Sequence, residues 1–146
     1  IKTLAVALSA ATNPEVGKPG FLLKEDEIEY GVGIHSEPGY RREKIKPSKE
    51  LVEELIGKLN DEMNLDGNKK YACLINGMGA TPLMEQYVFA NDVLNKLEEF
   101  NIKPSFMKVG NYMTSIDMAG ISLTLFEIKE DKWLDYLNYP VQTIAW

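Results

Sequence analysis

The sequence predicts an α/β fold with α+β-like features: a two-layer domain with a mixed β-sheet and helices packed on it. Short apolar runs typical of strands alternate along the chain with longer stretches whose apolar residues recur at helical spacing. Hydrophobic residues make up 45% of the 146 residues, which is enough to form the core of one compact domain. No internal repeat or linker-like segment interrupts this pattern, so we expect residues 1–146 to form a single domain.

The first third of the chain is predicted to consist of strands and loops. Residues 3–8 form a buried strand, and residues 9–20 form a loop rich in small residues, proline and glycine. Residues 21–23 are apolar enough for a short strand. Residues 27–34 alternate polar or small residues with apolar ones, which indicates a strand with one buried face. The following residues, 36–46, are rich in turn formers.

Two amphipathic helices and a buried strand are predicted for the middle of the chain. Pro47 and Ser48 open the first helix, whose apolar residues follow i, i+3 and i+4 spacing, and the Asp-Gly-Asn sequence at 66–68 ends it. Residues 71–75 are continuously apolar and predict a central strand. The second helix is expected to begin with Thr81 as its N-cap and Pro82 in its first turn.

The last part of the chain is predicted to contain two strands and a short helix. Residues 104–113 form one strand and residues 121–128 the other, and a turn at 115–120 would allow the two to pair as a hairpin. Residues 131–138 form a short helix, followed by an extended tail. The predicted order is therefore β–β–α–β–α–β–β–α.

Composition excludes several classes of function. Lysine and arginine total 16 and aspartate and glutamate total 22, giving a net charge of −6, which disfavours direct nucleic-acid binding. No apolar run approaches the roughly 20 residues needed to span a bilayer. A single cysteine, Cys73, cannot form an internal disulfide, and we expect a cytoplasmic protein without a signal peptide. The first residue is Ile, so the chain can be a piece of a longer protein.

His35 is the main candidate for chemistry because it is the only histidine and lies between a predicted strand and a turn. Gly31 and Gly33 leave space beside it. With an unperturbed pKa near ~6.5, an imidazole has an appreciable neutral fraction that can act as a base, a ligand or a nucleophile. The alternative is a structural histidine that caps a turn or hydrogen-bonds to the backbone.

Other candidates have stronger structural interpretations. The turn at 76–82 precedes a helix and could receive an anion, but an ordinary strand-to-helix turn also needs its glycines. Asp117 could orient a base or a substrate hydroxyl, although an aspartate in this setting more often closes a turn. The basic residues Arg41, Arg42 and Lys44 could receive phosphate, but a solvated loop balanced by Glu37 and Glu43 is favoured.

Two kinds of site lack the required residues. The glycine-rich P-loop pattern ending in Gly-Lys-Ser or Gly-Lys-Thr is absent, so no ATP-binding P-loop is expected. One histidine and one cysteine in a core strand leave zinc without a ligand set, so no metal site is predicted. Cys73 itself is expected to behave as a small hydrophobic residue.

Three segments form a distinctive pattern along the chain. Residues 31–39 read GVGIHSEPG, residues 76–83 read NGMGATPL, and residues 114–120 read TSIDMAG. In this order they resemble the substrate-binding subunits of dihydroxyacetone (glycerone) kinases, which carry a GVGIHGEPG-like stretch, an Asn-Gly turn followed by ATPL, and a TS-aliphatic-DM-small-G segment. The resemblance implies the C-terminal domain of such a subunit.

The resemblance assigns His35 a catalytic and substrate-binding role. In that family, the histidine of the first motif adds through a ring nitrogen to the carbonyl carbon of dihydroxyacetone and forms a covalent hemiaminal. Glycerol has no such carbon, so covalent capture would distinguish the ketone from the polyol. Capture would also hold the terminal hydroxyl in place for phosphoryl transfer.

The same resemblance implies partners that this chain does not contain. A preceding N-terminal domain would supply further substrate contacts and the acid–base residues, so the chain alone is not expected to be an active kinase. ATP or ADP with Mg would bind a partner nucleotide-binding kinase subunit, whose phosphate a phosphotransferase-system protein replenishes in some bacteria, and no cofactor is expected in this chain. The sequence leaves the oligomeric state, including a homodimer, open.

One residue departs from the family pattern. Ser36 stands where the family usually has glycine, directly after the histidine. A serine side chain adds bulk and restricts the backbone, which questions catalytic competence more than ketone binding. The alternative function is therefore that of a kinase-like paralogue, which binds dihydroxyacetone and serves as co-activator of a transcription regulator.

Overall fold

The computed structural model describes residues 1–35 and 37–146. These residues form a mixed β-sheet, a small two-stranded ribbon and three helices, joined by loops. The strands are β1 (Lys2–Ala7), β2 (Thr12–Asn13), β3 (Lys18–Pro19), β4 (Glu27–Tyr30), β5 (Arg41–Lys44), β6 (Lys70–Gly77), β7 (Phe106–Gly110) and β8 (Gly120–Ile128). The helices are α1 (Ser48–Met63), α2 (Leu83–Glu98) and α3 (Lys132–Asn138). None of the helices in the described part of the chain has the length and apolar content needed to cross a bilayer.

Six strands form one sheet in the order β5–β4–β1–β8–β6–β7, and β2 pairs with β3 in a separate two-stranded ribbon. Strands β6 and β7 are parallel, whereas β8 is antiparallel to both β1 and β6. The predicted hairpin between the last two strands is therefore wrong. Most of β8 is buried, so it lies inside the sheet, while β7 is only half-buried and forms an edge on the far side of β6.

The main core lies between the sheet and the helices α1 and α2. Buried leucine, isoleucine and valine side chains of the helices pack against Tyr71, Cys73 and Ile75 of β6 and against apolar residues of β8. This arrangement confirms the predicted α/β class with helices packed on a mixed sheet. Cys73 is buried in this core, and burial raises the pKa of its thiol to about 12, so it behaves as a small hydrophobic residue.

A second, smaller apolar cluster occupies the opposite face of the sheet. Alternate residues of β1 point there, and the cluster consists of Ala5, Ala7, Ala11, Val32, Met78 and Met118 with Phe21 and Ile34 packed against it. Because alanine side chains are short, loops can approach the sheet closely at this point. The loops after β1 and β4, and the loop before β8, meet over this cluster.

Several predicted boundaries in the first third of the chain differ from the structure. The strand predicted over residues 27–34 ends at Tyr30, since Gly31 adopts a φ of 77° and turns the chain away from the sheet. Residues 21–23 form no strand. The charged residues 41–44, predicted as part of a turn-rich segment, form the edge strand β5, because an edge strand can carry charge on its solvent-facing side.

The helix boundaries are close to the predicted ones. Helix α1 begins at Ser48 as expected but ends at Met63, where Asn64 takes a left-handed conformation. Helix α2 begins at Leu83 without a side-chain cap, so the expected capping role of Thr81 is wrong. The Thr81 hydroxyl instead donates to the Gly120 carbonyl oxygen at 2.6 Å, and this bond ties the helix start to β8.

Candidate functional site

His35 lies beside an open cleft of about 520 Å³ on the face of the sheet opposite α1 and α2. Residues from three loops line the cleft: Ala11, Thr12, Asn13, Pro14 and Gly20, then Ile34 and His35, and finally Thr114, Ser115 and Ile116. The first and third segments of the family-like pattern thus contribute to one cavity. The His35 side chain is 80% exposed, so a small solute can reach it.

Glu37 holds His35 through both of its carboxylate oxygens. The His35 backbone N–H donates to Oε2 at 2.9 Å, and the ring nitrogen Nδ1 lies 3.1 Å from Oε1. Among the described residues, the His35 ring therefore has a carboxylate as its hydrogen-bond partner. The sequence-based interpretation missed this pair, since it treated Glu37 only as a charge balancing the basic residues, although the His-x-Glu spacing was a usable signal.

Glycines allow the loop to fold around this contact. Gly31, with a φ of 77°, directs the chain off β4, so that Val32 and Ile34 pack on the small apolar cluster. A Cβ atom on Gly33 would collide with the Glu37 carboxylate. The glycines were predicted to leave open space beside His35, but the space at Gly33 is filled by the Glu37 carboxylate and the space at Gly31 by the Tyr40 ring.

A buried carboxylate anchors the end of the same loop. Glu29 is 2% exposed and accepts a hydrogen bond from the Gly39 backbone N–H at 2.8 Å. Arg42 Nε donates to the other Glu29 oxygen at 3.1 Å, which compensates the buried charge. The loop that carries His35 is therefore fixed at both its start and its end.

The basic residues after the loop are engaged with acidic neighbours. Arg42 pairs with Glu29, Arg41 pairs with Glu54, and Lys44 Nζ lies 3.5 Å from Asp26. These contacts favour the structural interpretation of the basic cluster over a phosphate site. Arg41 also pairs with Glu43 at 3.2 Å, as expected from the local sequence. Glu29, Glu54 and Asp26 lie farther along the chain from their partners, so the local sequence pattern did not identify them.

The turn at residues 76–82 is hydrogen-bonded to residues 112–120, which include one wall of the cleft. The Asn76 side-chain oxygen accepts hydrogen bonds from the backbone N–H groups of Tyr112 and Met113, both at 2.8 Å. Met78 and Ala80 donate their N–H groups to carbonyl oxygens of Gly120 and Met118. These donors are used within the fold, which supports the interpretation of an ordinary strand-to-helix turn over an anion site.

Asp117 fastens the loop after β1 to the loop before β8. Its carboxylate accepts hydrogen bonds from the Thr12 hydroxyl at 2.6 Å and from the Thr12 backbone N–H at 2.7 Å. These bonds hold the pKa of Asp117 below its usual range. Asp117 thus has a structural role, as favoured, but it acts across two loops rather than within its own turn.

The expectations about a metal site and about Ser36 concern the residues around this cleft. Among residues 1–35 and 37–146, no group of three or more His, Cys, Asp and Glu side chains is arranged to hold a metal ion. The departure from the family pattern at Ser36 lies outside the described residues.

The fold and the site together define an α/β domain with a mixed six-stranded sheet, whose cleft presents one carboxylate-bound histidine. The chain belongs to the Dak1 domain family, whose sequence model matches residues 1–145. This confirms the predicted family.

Relatives of two kinds are similar to the chain over its whole length. The dihydroxyacetone-binding subunit DhaK of the phosphotransferase-system-dependent dihydroxyacetone kinase from Lactococcus lactis is 64% identical over 146 residues, which is 100% of this chain and 44% of that protein. The DhaKLM operon coactivator DhaQ from the same organism is 51% identical over 148 residues, covering 100% of this chain and 45% of DhaQ.

The solved structure of a dihydroxyacetone kinase operon co-activator, Dha-DhaQ, matches the chain with a TM-score of 0.88 and 51% identity. The match covers 94% of this chain and 43% of that chain. This chain therefore spans less than half the length of the relatives it matches.

Proposed function

We propose that the chain is the histidine-bearing domain of a dihydroxyacetone-binding subunit, in which His35 captures dihydroxyacetone covalently for phosphorylation to dihydroxyacetone phosphate. The observation that carries this proposal is the position of His35, which is exposed at a cleft lined in part by two of the family-like segments and is bound by a carboxylate at Nδ1. The identity of 64% to a DhaK subunit over the whole chain supports the choice of substrate.

The proposed capture step needs a neutral imidazole, a carbonyl and one proton from the solvent. A ring-nitrogen lone pair forms a bond to the carbonyl carbon, while the π electrons of the C=O bond move onto oxygen. That oxygen takes a proton from water, which leaves a hydroxide ion in the solvent, and the ring then carries one positive charge. The product is a hemiaminal, no oxidation occurs, and the reaction is reversible.

Covalent capture would give selectivity that hydrogen bonds to hydroxyl groups cannot give. The cleft offers Thr12, Asn13, Thr114 and Ser115 as polar lining, and these could contact the hydroxyls of a ketone or of a polyol alike. Only the ketone has a carbon that accepts the His35 nitrogen. Dihydroxyacetone should therefore be retained and glycerol should not.

Phosphoryl transfer would require partners outside this chain. In the proposed assembly, a nucleotide-binding subunit carries ATP or ADP with Mg, and a preceding domain of the same subunit supplies acid–base groups. His35 would hold the substrate so that its terminal hydroxyl points toward the phosphoryl donor. The chain alone would then bind the ketone without phosphorylating it.

A second candidate function is supported by the similarity to co-activators. DhaQ is 51% identical over the whole chain, and the Dha-DhaQ structure superimposes with a TM-score of 0.88. In that case the same cleft would sense dihydroxyacetone, and the protein would act through a transcription regulator instead of phosphorylating the ketone. The two functions share the capture step and differ in whether phosphoryl transfer or signalling to a regulator comes after it.

The test of capture uses dihydroxyacetone labelled with ¹³C at its carbonyl carbon and the full-length protein that contains this chain. In the wild type we expect the bound-ligand resonance to move from the carbonyl region to that of a carbon with four single bonds. In His35→Ala the bound resonance should be absent, and glycerol should give no bound species with either protein. A wild-type complex that keeps a carbonyl resonance would refute covalent capture.

Turnover separates the two candidate functions. Full-length protein supplied with its nucleotide-binding partner and ATP, or with the phosphotransferase components, should convert the ketone to its phosphate if it is a kinase subunit. Capture without turnover under every phosphoryl donor would exclude the kinase function and leave the co-activator function.

A further inference from the structure

Glu37 is placed to control the chemical state of His35, a role that the capture reaction alone does not assign. One oxygen of its carboxylate accepts the His35 backbone N–H at 2.9 Å, and the other lies 3.1 Å from the ring nitrogen Nδ1 of the same residue. Because both contacts go to one residue, the ring cannot rotate away without losing the contact with Oε1. The carboxylate therefore fixes both the backbone and the ring of His35.

The loop is shaped to accept this carboxylate. Gly33 donates its backbone N–H to the Glu37 carbonyl oxygen at 3.3 Å, and any side chain at Gly33 would occupy the space of the Glu37 carboxylate. Behind Glu37, the Gly39 N–H is held by the buried Glu29. The hydrogen bond from Gly33, the space left by its missing side chain and the bond between Gly39 and Glu29 thus place Glu37 beside the imidazole.

The charge of Glu37 determines which ring nitrogen carries the proton. A hydrogen bond from its own backbone, followed by those from His35, keeps the pKa of the Glu37 carboxyl below its usual range, so it is ionised near neutral pH. An ionised carboxylate can only accept hydrogen bonds. When the imidazole is neutral, its proton must therefore lie on Nδ1 for the contact to form.

We infer that Glu37 is the positioning residue of His35: it holds the neutral imidazole in the Nδ1–H tautomer and leaves the lone pair on Nε2 free to attack the carbonyl. After Nε2 bonds to the carbonyl carbon and the oxygen gains a proton from water, the ring is cationic with its proton still on Nδ1. The Glu37 carboxylate then neutralises that cation. The effect on capture rests on the proposed function, whereas the tautomer does not.

The tautomer can be measured directly, because His35 is the only histidine of this chain. The full protein is labelled with ¹⁵N-histidine without a histidine tag, and the signals lost in His35→Ala identify its ring. At a pH where the ring is neutral, we expect Nδ1 to resonate as the protonated nitrogen and Nε2 as the unprotonated one. In Glu37→Gln the two resonances should move toward each other as the tautomers mix.

A matched control is Glu25→Gln, which removes one exposed acidic charge from a different loop. This variant should leave the ¹⁵N pattern of the wild type unchanged. Glu37→Asp keeps the charge on a shorter side chain and should restore part of the preference for Nδ1–H. A wild-type ring protonated on Nε2, or a Glu37→Gln ring identical to the wild type, would overturn the inference.

Capture of the ¹³C-labelled ketone tests the functional consequence. We expect the capture equilibrium to weaken about tenfold in Glu37→Gln, the size of effect typical of one charge-assisted hydrogen bond. Glu37→Asp should fall between that variant and the wild type, and an unchanged amide spectrum outside the loop would show that each variant is folded. If the wild type captures no ketone, the proposed function fails and the ¹⁵N result still decides the tautomer. If both proteins capture equally well, the inference fails and the function stands.

Discussion

At the scale of single residues, the contact between Glu37 and His35 depends on the absence of a side chain at Gly33. A Cβ atom there would overlap the Glu37 carboxylate, which must then leave the His35 ring or displace the loop. We expect Gly33→Ala to weaken capture of dihydroxyacetone about as much as Glu37→Gln, with a loss of stability of about 1 kcal/mol. Capture can be measured with the labelled ketone and stability by urea unfolding.

Gly57 is the matched control for this substitution. It lies within α1, and a Cβ atom added there meets no other atom within 4 Å. Gly57→Ala should raise the free energy of unfolding by about 0.5–1 kcal/mol, because alanine favours the helix interior, and it should leave capture unchanged. Equal capture by Gly33→Ala and Gly57→Ala would show that the carboxylate is not needed beside the ring.

Single residues also show which parts of the site the sequence could predict. His35 could be identified because it is the only histidine and follows a glycine-rich strand end. Glu37 was not identified as a partner of His35, although it lies only two positions further along the sequence and its carboxylate contacts the ring. Glu29 could not be identified either, because a carboxylate within an alternating strand gives no sign that it is buried against Gly39 and Arg42.

At the scale of helices and strands, local patterns were sufficient where packing depends on local periodicity. The spacing of apolar residues predicted α1 correctly, and those residues form its buried face. Strand β5 was missed because its four residues are charged and it lies at the sheet edge. The hairpin was predicted wrongly, since β8 pairs with β1, more than 110 residues away, and no local pattern encodes that pairing.

Helix α1 provides a test of the core at this scale. Leu55 is 0% exposed and packs between the helix and the sheet, so Leu55→Ala should lower the free energy of unfolding by about 3 kcal/mol. Leu94 of α2 is 40% exposed, and Leu94→Ala should cost less than about 1 kcal/mol. Urea unfolding of both variants gives the comparison, and similar losses would contradict the assigned helix faces.

The link between Asp117 and Thr12 should make one wall of the cleft sensitive to acid. The Thr12 hydrogen bonds depress the pKa of Asp117 in the folded protein, so the link is fully present above the unfolded pKa. It is lost as the pH falls through the lower, folded pKa. Asp117→Asn should mimic this loss at neutral pH and speed hydrogen exchange of the Thr12 amide.

Asp66 offers the control for this link. Hydrogen bonds from Asn68 also lower the pKa of the Asp66 carboxyl. Asp66 lies in the turn before Lys70, where β6 begins, whereas the Asp117 link lies near the other end of that strand. Asp66→Asn should leave exchange at Thr12 unchanged. Fast exchange at Thr12 in the wild type at neutral pH would show that the Asp117 link does not hold the loop.

At the scale of the whole molecule, the composition of the cleft bears on the proposed phosphoryl transfer. Among the described residues that line it, His35 is the one with a titratable side chain. The nearby carboxylates are already engaged, Glu37 with His35 and Asp117 with Thr12. If His35 is bonded to the ketone, the described residues of the cleft offer no free base to take the proton from the terminal hydroxyl during transfer.

The base for the proposed phosphoryl transfer is therefore predicted to lie outside this chain. The chain spans 44% of the length of the similar DhaK subunit, and we expect the remaining part to supply the missing base. If the proposed kinase function holds, replacing single acidic or histidine side chains outside this chain should abolish phosphorylation at one position at least in the full-length protein supplied with the proposed nucleotide-binding partner. The ¹³C signal of captured ketone should persist in that variant. His35→Ala should remove the captured signal itself. Loss of turnover only through residues of this chain would place the base within the cleft and contradict the prediction.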